Sequence, residues 1–407
     1  MNGWKKVKLE EVTSKLGDGL HGTPCYDDSG EYFFVNGSNL KDGKIIIKKD
    51  TKRISHKEHD RIHKELNNRT ILVAINGTLG NVGLYNGEKI ALGKSACYFH
   101  VNTDVNKSFI RYVIEHSDFQ GYAHQFATGA TIKNLSLRAM REYTFLLPPL
   151  NTQNKIASTI GAYDLLIKNS QKRIKILEEM AQRLYEEWFV KFKFPGYEKV
   201  KMVDSGTEYG EIPEGWEVEN LGNLTSYLSR GMSPKYDENG FSSVINQRCI
   251  RNNIIEMSIA RKQSKNISND KQVKFGDILI NSTGVGTLGR VVQIYENYLN
   301  TTVDTHVTIL RPKNDLYIDY LGTVVWFLQK QFVRLGAGAT GQKELRRADI
   351  ENIKIIRPEV HLLKKYSELV RPLRLQKINL LRSLKKLAPI RDLLIENLIT
   401  GKRELKN

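Results

Sequence analysis

Between Ile160 and Trp188 a stripe of mainly apolar residues recurs in steps of three and four: Ile160, Tyr163, Ile167, Ser170, Ile174, Leu177, Ala181, Leu184 and Trp188. That spacing keeps one face of an α-helix pointing the same way and predicts a coiled-coil seam. A second run does the same through Leu362, Tyr366, Leu369, Leu373, Gln376, Leu380, Ser383, Leu387, Ile390 and Leu394. Ile167, Ser170, Ile174 and Leu177 return as Leu380, Ser383, Leu387 and Ile390, so even the polar seam position is repeated. Neither helix can bury its stripe alone. The expectation is that the two pair, antiparallel, with a parallel arrangement as the rival geometry. A continuous helix from Gln153 to Trp188 would extend about 54 Å at 1.5 Å per residue. Pro372 and Pro389 predict a kinked or segmented second helix, because each removes an amide donor.

Outside these stripes the pattern shortens to buried strands punctuated by glycine turns, and it occurs twice. ILVAINGTLG at 71–80 is echoed by ILINSTGVGTLG at 278–289, GWKKVKLEEVTS at 3–14 by GWEVENLGNLTS at 215–226, and Gly129-Ala130-Thr131 by Gly338-Ala339-Thr340. Each reads as strand and turn in a mixed α/β unit. The predicted architecture is α/β, with two duplicated domains joined by long helices that form an antiparallel intramolecular coiled coil. The expected boundaries are a first domain over 1–150, a central helix over 151–194, a linker over 195–214, a second domain over 215–358 and a C-terminal helix over 359–402.

Length and charge fit that division. A chain of 407 residues suits two globular cores plus connecting material. Its formal charge of +17 makes DNA or RNA the natural first partner and an anionic membrane surface the competitor. No stretch approaches 18 uninterrupted apolar residues and the first residues lack an apolar signal core, so a cytoplasmic protein is expected. Cys25, Cys97 and Cys249 are isolated, which argues against a disulfide framework or a cysteine-rich zinc site.

The junction EEMAQRLYEEWFVKFKFPGYEKVKMVDSGTEYGEIPEGWEVENLG at 178–222 carries, in order, a helix end, Trp188-Phe189, Phe194-Pro195-Gly196, Ile212-Pro213 and Gly215-Trp216. It resembles the centre of the specificity subunit of type I restriction-modification systems, and LKKLAPIRDLLIENLITGK at 384–402 looks like that family's second shared helix. The resemblance covers the whole domain-helix-domain-helix order. It implies that each domain is a target recognition domain reading one half of a bipartite double-stranded DNA target, and that this subunit performs no chemistry and holds no cofactor. Two methyltransferase subunits would use S-adenosylmethionine, and motor-nuclease subunits would use ATP and Mg. Readers on a paired-helix spacer suit half-sites separated by about one helical turn of DNA, 34 to 36 Å, so helix length would influence the unread spacer.

Candidate readers lie in the loops. LGDGLHGTPCYDDSG at 16–30 presents His21, Thr23 and Tyr26, and LSRGMSPKYDENG at 228–240 presents Arg230, Ser233, Lys235 and Tyr236 in a similar frame with different tips. Arg230 suits guanine O6 and N7, while Lys235 suits either a base or a phosphate. Solvated surface turns remain an equal reading of both loops. Asn246, Gln247 and Arg248 follow a predicted strand, as Asn36, Ser38 and Asn39 do in the first domain; these amides suit adenine or local backbone capping. The basic interval 41–57, including Lys41 and Lys52, reads as a phosphate track or a solvated hairpin. Thr128, Thr340 and Gln342 sit in small-residue turns before each long helix, where they would touch DNA or shape the turn.

Other motifs attract no assignment. His56, His59 and His63 have helical spacing but sit among charges, and a solvated helix is the better reading than a metal site. Gly80-Asn81-Val82-Gly83, Gly284-Val285-Gly286 and Gly401-Lys402-Arg403 do not frame a nucleotide site, and Pro148-Pro149 lacks the flanking residues of an adenine methyltransferase centre. Leu165, Ile176, Leu381 and Leu384 fall off the seam and are candidates for docking a methyltransferase subunit, or for internal burial. The alternatives to a specificity subunit are a duplicated DNA-binding regulatory protein outside restriction and an enzyme with an unrecognised pocket.

Overall fold

The computed structural model describes residues 3–336 and 343–405. It divides into one unit of Met1–Asn169 with Ser383–Asn407, and another of Ser170–Arg382.

In the first unit the apolar run Thr70–Ala74 is buried along its whole length, as the central strands of a covered sheet must be. It lies in a four-stranded antiparallel sheet in the order Thr13–Asp18, Ala96–Val101, Thr70–Ala74, Val82–Leu84. A three-stranded mixed sheet follows the order Arg53–Ile54, Tyr32–Val35, Ile90–Leu92. Two ribbons complete the unit: Lys5–Lys8 with Thr144–Leu147, and Leu40–Lys41 with Lys44–Ile45. Helices Lys107–Glu115 and Ser117–Phe126 bring Phe109, Ile110, Val113 and Phe119 onto Ile71, Val73 and Phe99.

The second unit contains the same four sheets. Its large sheet runs Thr225–Arg230, Val307–Pro312, Ile278–Asn281, Val291–Gln293, and its mixed sheet runs Arg261–Gln263, Ser242–Ile245, Thr301–Val303. The ribbons are Glu217–Asn220 with Lys354–Arg357 and Ile250–Arg251 with Ile254–Ile255. Even the turns agree. Asp42 and Gly43 have φ of 51° and 71°, and Asn252 and Asn253 have 50° and 55°, so both tight hairpins use two left-handed residues of the types that tolerate them.

The long helices are Leu150–Tyr185 and Val360–Leu398. In the first unit Ile156, Ala157 and Ile160, near the start of the central helix, share a core with Ile395, Leu398 and Ile399, near the end of the C-terminal one. In the second unit Ala181 and Trp188 share a core with Leu362, Tyr366 and Val370, from the opposite ends. Within each unit the pairing is therefore antiparallel.

Two expectations need correction. Pro372 and Pro389 do not segment the C-terminal helix, which runs unbroken from Val360 to Leu398. Both prolines, and the residues Glu368 and Lys385 whose carbonyls lose a donor, are exposed, so water satisfies what the missing amides leave. The seam of that helix is also displaced by one residue along part of its length. Leu369, Gln376, Ser383 and Ile390 are exposed, while Val370 and Lys377 are buried and Leu384 and Arg391 half-buried. The signal was masked because two of these inward positions are basic. Lys377 Nζ lies 2.6 Å from Glu178 Oε1, and Arg391 lies 3.8 Å from Asp164 and 3.7 Å from Glu115.

The junction is packed rather than loose. After the central helix a π-turn at Glu186–Val190 puts Trp188 and Phe189 inward. Phe189 and Phe194 then meet Trp216 at ring separations of 5.8 and 5.1 Å, and Met202–Asp204 pairs with Glu211–Pro213 as a ribbon.

Candidate nucleic-acid interface

At one end of each large sheet the same backbone hydrogen bonds recur. Leu135 N donates to Ile75 O, and Ile75 N to Ser95 O; in the second unit Leu345 N donates to Ser282 O, and Ser282 N to His306 O. Gly93 N donates to Val35 O as Asp304 N does to Ile245 O, and Asn39 N to Asn36 O as Cys249 N does to Asn246 O. The strand Thr13–Asp18 ends before Gly19, where an added Cβ would lie 2.1 Å from Leu92 O, and Thr225–Arg230 ends before Gly231, where it would lie 1.9 Å from Val303 O. Glycine is obligatory at both crossings because the backbones touch.

This shared frame pairs positions that the sequence left unaligned. Asp18 corresponds to Arg230, Gly37 to Gln247, Asn76 to Thr283, Ser95 to His306 and Asn134 to Glu344. In the first unit the group is amide-rich. Ser95 Oγ donates to Asn36 Oδ1 and accepts from Gly37 N, both at 2.9 Å, and Asn76 bridges Asn134. In the second unit it carries charge and imidazole. Thr283 Oγ1 is 2.6 Å from His306 Nδ1, Thr283 bridges Glu344, and Arg230 Nη2 lies 2.8 Å from Glu344 Oε1.

The expected reader residues divide by what already holds them. His21 is exposed and its Nε2 is 2.7 Å from Asp18 Oδ2; Thr23 and Tyr26 are exposed, with Tyr26 set edge-on to Phe34. Asp27 and Asp237 each close a turn, accepting from Ser29 N and Asn239 N at 2.9 Å, so these two aspartates belong to the frame of their loops. Asn39, by contrast, is buried. Its amide donates to Ile46 O and Thr51 Oγ1 and its oxygen accepts from Asn36 N, so both donors it could offer to adenine are committed inside the fold. Lys41 and Lys52 are exposed, and Thr128 is exposed with its backbone paired to Asn134.

In the second unit Ser233 and Lys235 are exposed, and Tyr236 is capped by the Arg261 guanidinium 3.5 Å above its ring. Burial on that side raises the Tyr236 hydroxyl above the ordinary phenol range, so it stays a neutral donor. Asn246 is half-buried and caps Arg248 N at 2.9 Å, Gln247 is half-buried against Gly284, and Arg248 is exposed. Thr340 and Gln342 lie outside the described residues. Sequence reasoning missed Glu344, His306, Thr283 and Arg261, whose partners are remote in the chain. It also missed Val285, which stands exposed at the tip of the second glycine loop.

The helix His56–Ile62 begins at a Ser55 cap, carries His56 and His59, and ends at His63 as its C-terminal cap. His59 stacks on Tyr32 at 3.7 Å, and burial lowers its basicity; ligand atoms of His59, Asp60 and His63 come within 4.8 Å of one another. His56 Nδ1 already engages Asp60 at 3.1 Å. Among the described residues no helix is long and apolar enough to cross a membrane. Leu165 and Ile176 are 57% and 43% exposed, whereas Leu381 and Leu384 are half-buried.

A family model described as the type I restriction modification DNA specificity domain matches residues 1–179 and again 213–368. The chain is 27% identical to the type I restriction enzyme MjaIX specificity subunit of Methanocaldococcus jannaschii over 309 residues, covering 73% of this chain and 69% of that one. It is 26% identical to the putative MjaX specificity subunit of the same organism over 244 residues, 57% of this chain and 55% of that one. Its fold is similar to the crystal structure of a type I restriction-modification system S subunit from M. genitalium, with a TM-score of 0.68 and 18% identity across 99% and 97% of the two chains.

Proposed function

The chain belongs to the type I restriction modification DNA specificity family, and from that premise we propose that its two domains read the two halves of one bipartite double-stranded DNA target. Its role is non-catalytic: it supplies DNA specificity within a type I restriction-modification system. The family association extends to methyltransferase and motor-nuclease subunits. In our reading two methyltransferase subunits bring S-adenosylmethionine, motor-nuclease subunits bring ATP and Mg, and this chain holds no cofactor. It acts in the cytoplasm, where the cell's own DNA must be modified.

The observation that carries the reading is the repeated strand-end frame with changed side chains. A reader needs a rigid scaffold, to fix register on the duplex, and variable tips, to select bases. His21, Thr23, Tyr26, Lys41, Lys52 and Thr128 are the candidate contacts of the first domain; Arg230, Ser233, Lys235, Tyr236, Asn246, Gln247 and Arg248 are those of the second. Functionally we assign 1–150 and 215–358 to reading, 151–194 and 359–402 to the paired helices and 195–214 to the connection. Leu165 and Ile176 are our preferred contacts for a methyltransferase subunit, because water-exposed leucine and isoleucine on a polar helix face gain most from being covered.

The test is to reconstitute the chain with its cognate methyltransferase and map methylated adenines by single-molecule sequencing. A split motif with one modified adenine on each strand is expected, and exchange of residues 228–248 for the equivalent segment of another reader changes one half only. A continuous motif would refute the architecture. Sequence-specific binding with no methylation after assembly would favour a regulatory protein outside restriction.

A further inference from the structure

Arg230 and Glu344 lie far apart in the chain and are brought together by the sheet. Arg230 is the last residue of its strand, fixed by the obligatory Gly231, and its Nη2 donates to Leu345 O at 3.2 Å while pairing with Glu344 at 2.8 Å. Glu344 hangs from the same frame, through its bridge to Thr283 and the adjacent Leu345 N–Ser282 O bond of 2.8 Å. The two side chains are 29% and 50% exposed, and ion pairs this wet add little to stability. The first domain builds the same frame with Asp18 and Asn134 at these positions, so the backbone does not require an ion pair there. Chemistry has changed where geometry has not.

We infer that Glu344 is a specificity-determining residue of the second domain and that it acts with Arg230 as one unit reading a single G·C pair in the major groove. Arg230 donates two hydrogen bonds to guanine O6 and N7, and Glu344 accepts from the cytosine amino group. The carboxylate also discriminates against error. It repels phosphate, so a guanidinium held beside it is kept from the sequence-independent backbone contact that a free arginine makes readily. Asp18 and Asn134, with an acceptor where the second domain has a donor, then read a different base pair in the other half-site. The inference rests on the proposed function, since it needs the second domain to contact DNA.

The experiment uses the full chain assembled with its methyltransferase and maps methylated sites for the wild type, E344A, E344Q and the charge-swapped double variant R230E/E344R, with thermal unfolding as the folding control. For E344A and E344Q we expect discrimination at one position of one half-site to fall roughly 5- to 150-fold, the range of one good base contact, with the other half-site unchanged. The swap restores the ion pair, so it separates the two roles. A reading pair yields an altered preference at that same position, whereas a purely structural pair yields the wild-type motif and overturns the inference. A uniform loss or gain of methylation at every site in all variants also overturns it, by making Glu344 a general electrostatic residue. Absence of a split motif in the wild type would refute the proposed function itself, and this inference with it. A wild-type split motif beside unchanged variants would refute the inference alone.

Discussion

Lys377 and Glu178 form an ion pair of 2.6 Å inside the helix-helix seam of the second unit, with Lys377 buried and also donating to Asn253 O at 3.4 Å. A charge in that position is tolerated only because its partners come with it. Lys377→Ala should therefore lower the stability of the second unit by about 1–3 kcal/mol, between the values typical of exposed and buried pairs. The double variant Lys377→Met with Glu178→Gln should recover most of that loss. Chemical denaturation of the wild type and the two variants checks both.

Asp277 and Arg311 make the second case. Asp277 is fully buried and receives two hydrogen bonds from Arg311, at 2.7 and 2.8 Å, besides one from Lys274 N at 2.8 Å. Arg311→Ala strands a carboxylate away from water and should cost about 3–5 kcal/mol at neutral pH. Burial already pushes the Asp277 carboxyl above its ordinary range, and in the variant only the Lys274 amide and ammonium still oppose that push. Protonation removes the stranded charge, so the deficit should shrink as pH falls from 7 towards 5. Urea unfolding at the two pH values reads the difference.

At the position matching Arg311 the first unit has His100, and it predicts a pH response. His100 is buried, with Nε2 2.9 Å from Glu65 O and Nδ1 3.3 Å from Asn67 Nδ2, which suits a neutral ring donating through Nε2 and accepting through Nδ1. Burial lowers its basicity, and that of His59, below the ordinary imidazole value. The unfolded chain thus binds more protons than the folded one, and stability falls as pH drops below about 6.5. Protection factors across Ala96–Val101, taken relative to the intrinsic amide exchange rate at each pH, should fall as pH drops from 7 to 5.5, and His100→Gln should flatten that response.

The two helix surfaces should respond differently to charge. Leu165→Glu adds a carboxylate to an already exposed site, so unfolding should be unchanged while capture of the methyltransferase subunit weakens about tenfold or more. Leu384→Glu places its charge in the half-buried stripe and should lower the unfolding temperature by several degrees. Calorimetry beside a pull-down with purified methyltransferase separates the cases. An unchanged pull-down with Leu165→Glu would remove that residue from the docking surface.

The duplication was legible in the linear chain because its signals are local. A run such as Ile71–Ala74 ending in a glycine turn states its own strand and reversal, and its recurrence at Ile278–Asn281 states the copy. The central helix was legible too, since Ile160 through Trp188 carry their period without interruption. The matching stripe from Leu362 was read one residue out of place at Leu369, Gln376, Ser383 and Ile390, because the inward positions Lys377 and Arg391 look like surface residues until Glu178, Glu115 and Asp164 are seen beside them.

The reader tips show the same division. Turn chemistry alone pointed to the loops around Tyr26 and Tyr236, since glycine, proline and aspartate act over a few neighbouring residues. Sequence could not tell that Asn39 spends its amide on Ile46 and Thr51, or that Arg230 faces Glu344, more than a hundred residues away. Periodicity and backbone preference are written in adjacent residues, so the sequence by itself determined two copies of one unit and the long helices. A side chain's freedom depends on partners gathered by the fold. Only the tertiary structure decided which polar groups are left to meet a ligand.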